Sequence, residues 1–144
     1  MREKALNYLG LMRKANAIEL GETNTGAAVR SGKAKLLLIA SDASDNAKSR
    51  AEGFLRGHST IPVELPFTKE GISGHVGVSG CSMAAVTDIG FANAFVKALA
   101  AIEPESYELI AQEVTARFTK AERRRKETQA HERNKKIGKR RSNV

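Results

Sequence analysis

The chain has 144 residues, 41% of them hydrophobic, 5% aromatic with no tryptophan, one cysteine, and a net charge of +8. That length fits one domain with an appendage, and its core must be built from Leu, Ile, Val, Ala and a few Phe. The single thiol excludes an intramolecular disulfide framework and a cysteine-rich metal site and suits a reducing cytoplasm, while the lack of a long apolar run argues against a signal peptide or a membrane span.

Taken in chain order, residues 2–15 predict an amphipathic helix, because Ala5, Tyr8, Leu9 and Met12 recur at i, i+3, i+4 and i+7. "AIEL" (17–20) is a short strand. Residues 22–31 predict a second helix that stops at Gly32, a good C-cap residue. "AKLLLIAS" (34–41) is an apolar run of strand length, the pattern of a central strand covered on both faces. "DASDNAKSRAEGFLRG" opens with capping residues and predicts a third helix over about 44–56. "IPVELP" (61–66) is a strand bracketed by prolines, and "TKEGISGHVG" is a short helix weakened by glycine. "CSMAAVTD" (81–88) is a second buried strand, followed by a helix over 90–102 with Phe91, Phe95, Ala98 and Leu99 on one face. Residues 104 to about 132 extend as a charged helix, and "NKKIGKRRSNV" is expected to fray. Strands alternating with helices predict an α/β fold, a three-layer α-β-α sandwich on a small four-stranded sheet whose strand order the periodicity leaves open. The domain organisation expected is 1–102 for the sandwich and 103–144 for a charged helical extension with a disordered basic tail.

The charge is unevenly divided. Residues 117–144 hold twelve bases against three acids, a surplus of +9, and residues 1–116 sum to −1. The excess is concentrated in Arg123, Arg124, Arg125 and Lys126 and in Lys139, Arg140 and Arg141. A near-neutral body joined to such a tail points to a polyanionic partner that the tail grips by phosphate. Arg13 and Lys14 close the first helix and complement its dipole; Arg30, Lys33 and Lys35 read as a solvated face rather than as a second RNA patch.

Catalytic patterns are weak. Cys81 opens a buried strand with none of His58, His75 or His131 near it in sequence, which is the position of a small core residue. Asp42 and Asp88 follow strands, where α/β folds place active sites, but both also suit the N-cap of the next helix. "GISGHVGVSG" (71–80) is glycine-rich without the spacing of a phosphate loop or a dinucleotide fingerprint. No cofactor or metal is implied.

"LGLMRKANAIELGE" (9–22), "AKLLLIASDAS" (34–44) and "AAVTDIGFANAF" (84–95), in this order and spacing, resemble the bacterial YlxQ-like branch of the kink-turn-binding ribosomal protein superfamily, the archaeal large-subunit seven-Ae type. The resemblance covers about residues 3–102. It implies an α-β-α sandwich on a mixed four-stranded sheet that binds structured RNA, often on the ribosome, with ribosomal or translation-factor proteins as neighbours. It also implies an RNA-facing rim: Gly21, Glu22, Thr23, Asn24 and Thr25 at the second helix start; Ser41, Asp42, Ala43 and Ser44 after the second strand; Val78, Ser79 and Gly80 before the last. The superfamily's helix start reads Gly-x-Asn-Glu-x-x-Lys. Gly21 matches, whereas Thr23, Asn24 and Ala27 stand in place of the Asn, the Glu and the Lys.

A helix N-terminus with free amides and a positive dipole end suits phosphate, Gly21 and Gly26 are expected to let a ligand backbone come close, and Asn and Thr can bond base edges. The competing reading is that Thr23 or Asn24 merely caps the helix. The leading expectation is a non-catalytic, cytoplasmic RNA-binding protein. The alternative is a protein-interaction module of the same fold whose basic tail localises it to RNA, favoured by the absent lysine at position 27 and the near-neutral body.

Overall fold

A computed structural model describes the backbone of residues 2–142 and the side chains of residues 2–135. Among the described residues the elements run α1 (Arg2–Lys14), β1 (Ile18–Leu20), α2 (Glu22–Arg30), β2 (Leu36–Ile39), α3 (Asp45–Leu55), β3 (Ile61–Glu64), α4 (Lys69–Val76), β4 (Met83–Val86), α5 (Ile89–Ile102) and α6 (Pro104–Ser142). The four strands form one sheet in the order β1-β4-β2-β3. β4 runs antiparallel to both β1 and β2, and β2 runs parallel to β3, so the sheet is mixed.

The two longest apolar runs supply the central pair, as their composition requires. Leu36, Leu37 and Leu38 on β2 and all four residues of β4 are buried. Alternation then divides them between two cores. Leu36, Leu38, Ala84 and Val86 face a layer in which Leu9 and Met12 of α1 and Phe95, Val96 and Leu99 of α5 pack. Leu37, Met83 and Ala85 face Ala28 and Val29 of α2 and Ala47 and Ala51 of α3. A slip of one residue in either central strand would exchange the two sets. The result is the three-layer sandwich expected.

The charged segment is one helix, on to Ser142, where fraying was expected from residue 134. Its beginning is not an appendage. Tyr107, Ala111 and Val114 are buried in the α1/α5 core, and Ile110 packs against it. The Tyr107 hydroxyl donates to the Glu64 carbonyl, and the Thr115 hydroxyl donates to Asn93 Oδ1 at 2.8 Å. The sequence places the boundary at residue 102, whereas burial sets it near residue 122, since every side chain from Arg123 to Lys135 is exposed. No helix among the described residues is long and apolar enough to cross a membrane.

Candidate functional site

Strand direction brings the three expected rim segments to one end of the sheet. β1 and β2 both run antiparallel to β4, so Leu20 and Ile39, where they end, flank Ala84 and Met83, where β4 begins. Backbone bonds tie the loops there. The Gly21 amide donates to the Met83 carbonyl at 3.1 Å, the Ala40 amide to Ser82 at 2.9 Å, and the Ser41 amide to Phe67 at 2.8 Å.

Gly21 is the N-cap of α2, and no side chain caps it. Its φ of +88° is the left-handed side of the map, which is why glycine stands there. The capping reading of Thr23 and Asn24 is therefore corrected. Thr23 is exposed, and Asn24 turns back to donate its Nδ2 to the Leu20 carbonyl at 3.0 Å, with the residue otherwise on the surface. Glu22 Oε1 accepts from Arg50 Nη1 of α3 at 2.6 Å, which draws an acid that would repel phosphate into an ion pair. Thr25 is fully buried, and its hydroxyl has no partner among the described residues. Gly26 is buried as well: a Cβ there would stand 2.8 Å from the Phe54 ring, so this glycine serves the packing of α2 on α3 rather than the approach of a ligand backbone.

The second segment also departs from expectation. Ser44, not Asp42, caps α3, accepting from the Ala47 amide at 3.1 Å. Asp42 Oδ1 accepts from the Lys69 amide at 2.8 Å and so fastens the start of α4 to the rim. Ser41, Asp42 and Ser44 are exposed, and Ala43 is buried. Asp88 does cap α5, accepting from the Phe91 amide at 2.8 Å. In the third segment Ser79 and Gly80 are exposed, Val78 is half-buried, and Gly80 has a φ of +70°. Cys81 lies beneath them. Its thiol donates to the Met83 carbonyl at 3.3 Å, and burial pushes its pKa up, against the amides of Gly21 and Met83, so it stays a protonated core thiol. The histidines are spread over three places, after α3, in α4 and in α6, and all are exposed. Among the described residues no group of His, Cys, Asp and Glu suited to a metal forms.

The basic residues lie elsewhere. α6 starts at the rim end, where Tyr107 meets Glu64 at the close of β3, and it reaches the opposite end at Arg117, whose Nη1 donates to the Ser59 carbonyl at 2.7 Å just before β3. Arg123, Arg124, Arg125 and Lys126 therefore continue away from the rim, and Arg125 is paired with Glu122 at 2.9 Å. The side chains of Lys139, Arg140 and Arg141 lie outside those described. The sequence reading missed Arg50, whose partner is 28 positions away, and took Lys35 for part of a solvated face, since α6 joins it only after the chain has doubled back through α5. Nothing local in the sequence marks either.

No family model matches the chain. The RNA-binding protein YlxQ of Enterococcus faecium is 41% identical over 51 residues, 35% of this chain; the chain spans half the length of that relative. A solved structure from Bacillus halodurans C, of a protein with unknown function, superposes with a TM-score of 0.59 at 26% identity, covering 65% of this chain and 94% of that one. A 15.5kD RNA binding protein of Giardia lamblia superposes with a TM-score of 0.53 at 21% identity, covering 69% of this chain and 84% of the other. These two likenesses establish that the sandwich is shared.

Proposed function

We propose that this chain is a non-catalytic RNA-binding protein, associated with the ribosome or another structured RNA. The RNA-facing surface is the start of α2 with the loops around Ser41–Ser44 and Val78–Gly80. The observation that carries the reading is the α2 start itself. It is a helix N-terminus without a side-chain cap, opened by a glycine at positive φ, with Thr23 and Asn24 exposed beside it, and the loops that leave β2 and enter β4 lie at the same sheet end. Its amides and dipole suit a phosphate, and Thr23 and the free part of the Asn24 amide suit base edges. The name of the YlxQ relative supports RNA as the ligand. The non-catalytic reading is supported by the buried, protonated Cys81 and by Asp42 and Asp88, each engaged with a backbone amide.

The site departs from the kink-turn pattern in that Ala27 is an exposed alanine where a lysine is usual, so a standard kink-turn should bind weakly. Crosslinking in cells followed by sequencing of the recovered RNA tests the reading. Thr23→Ala/Asn24→Ala should lose the enriched RNA by about tenfold, on the order of one base-edge contact. Unchanged recovery from a folded variant would refute it.

One observation favours a protein partner instead. The rim carries Glu22 and Asp42, and the body has no surplus of positive charge. Under that reading the double variant loses a co-purifying protein while RNA recovery is unchanged.

A further inference from the structure

We propose that the end of the body opposite the α2 start is a second RNA-backbone site, formed by Lys35, Arg117, Lys120 and Arg124. These residues line a groove of about 460 Å³ together with Ser59 and Ile89. Among the described residues its lining holds four bases and no acid. Four bases on one helix would be an ordinary solvated stripe. Here they come from two distant parts of the chain: Lys35 precedes β2, and the other three lie on α6.

The junction is fastened. The Thr115–Asn93 bond seats α6 on α5, and Arg117 is held between the Ser59 carbonyl at 2.7 Å and Glu113 Oε1 at 2.8 Å. Arg117 thus shapes the groove and is partly neutralised, leaving Lys35, Lys120 and Arg124, all exposed, as the free charges. Positions 117, 120 and 124 fall on one face of a helix, over about 10 Å of rise. An RNA strand presents about three phosphates over that length. The lining has no aromatic ring on which a base could stack, so the ligand is backbone rather than base.

The identity of the polyanion rests on the RNA-binding reading above; the groove itself does not. Its consequence is new. Tyr107 and Arg117 mark the two ends of the body on α6, ten residues or about 15 Å apart, so a protein engaged at both ends spans two separate backbone segments.

The test uses the full chain, a fluorescein-labelled 20-base-pair RNA duplex, and anisotropy over a range of KCl concentrations. Lys35→Gln/Lys120→Gln/Arg124→Gln is compared with Lys4→Gln/Lys14→Gln/Lys97→Gln, which removes the same charge from exposed positions on α1 and α5 that do not line the groove. The groove triple should lower the logarithmic salt slope by about two to three, with about tenfold weaker binding near 0.1 M salt, and the control triple by less than half as much. Equal losses would mean that only net charge matters and would overturn the groove, as would failure of the full chain to bind the duplex at low salt. Thr23→Ala/Asn24→Ala, measured on both the duplex and the RNA recovered from cells, separates the two readings. If it matches the unaltered chain on both while the groove triple fails, the α2 reading falls and the groove stands. If it loses the recovered RNA while the groove triple binds duplex like the unaltered chain, the groove falls and the α2 reading stands.

Discussion

Gly21 and Gly26 sit five residues apart and are glycine for opposite reasons. At Gly21 a Cβ would meet nothing within 4 Å, but the φ of +88° is costly for any L side chain. Gly21→Ala should therefore lower stability by about 1 kcal/mol through backbone strain alone, read as a shift in the urea midpoint with an unchanged m-value. A neutral result would show that the loop relaxes out of the left-handed region. At Gly26 the conformation is ordinary and the obstacle is the Phe54 ring. Between them, Thr25 buries a hydroxyl that has no partner among the described residues. Thr25→Val keeps the shape and the β-branch and deletes the unsatisfied group, so stability should rise by up to about 1 kcal/mol. A loss of similar size would reveal that the hydroxyl is bonded after all, for instance to an internal water.

The α5–α6 hairpin is the element whose weight the charge pattern conceals. Tyr107, Ala111, Val114 and Phe118 recur at helical spacing, so a buried stripe was present in the sequence, but it is surrounded by acids and bases that read as a solvated extension. The central strands were legible for the converse reason: "LLLI" and "MAAV" are uninterrupted, and only cover on two faces accommodates them. The cap assignments were half legible. Asp88 and Ser44 obey local rules, whereas Asp42 serves the Lys69 amide 27 positions away, a choice made by β2 lying next to β3. The hairpin also has a pH signature. Burial, and then the charges of Glu103 and Glu64, push the Tyr107 pKa from 10.0 up to about 12. The fold holds the phenol neutral while the unfolded chain gives up its proton near pH 10. The contribution is therefore complete below pH 10 and is lost between pH 10 and about 12. Urea unfolding at intervals from pH 9 to 11.5 should show this decline, and Tyr107→Phe should flatten it while costing about 1 kcal/mol at neutral pH through the orphaned Glu64 carbonyl. An unaltered decline in the variant would assign it to other groups.

At the scale of the whole molecule, burial redraws the division of charge. Residues 123–144 contain ten bases and two acids, +8, which is the entire net charge of the chain, and residues 1–122 balance at zero. Cutting at residue 117 would remove Arg117 from Ser59 and the half-buried Phe118 from the α5 packing, mixing a loss of fold with a loss of charge. A truncation after residue 122 keeps every buried side chain of α6. Its melting transition should match that of the full chain, because side chains from 123 to 135 contribute no burial. RNA binding should weaken across unrelated sequences, and the salt slope should fall by several units, at about 0.7–0.9 for each phosphate no longer neutralised. Selectivity between the recovered RNA and a scrambled competitor should change little. The α2 start lies at the other end of the body, and phosphate contacts position a protein without specifying sequence. Affinity titrations of both RNAs against salt, for full and shortened chains, measure slope and selectivity together. Identical slopes would rule out the exposed half of α6 as a phosphate anchor. A collapse of selectivity with the slope intact would move recognition from the α2 start to the helix that leads away from it.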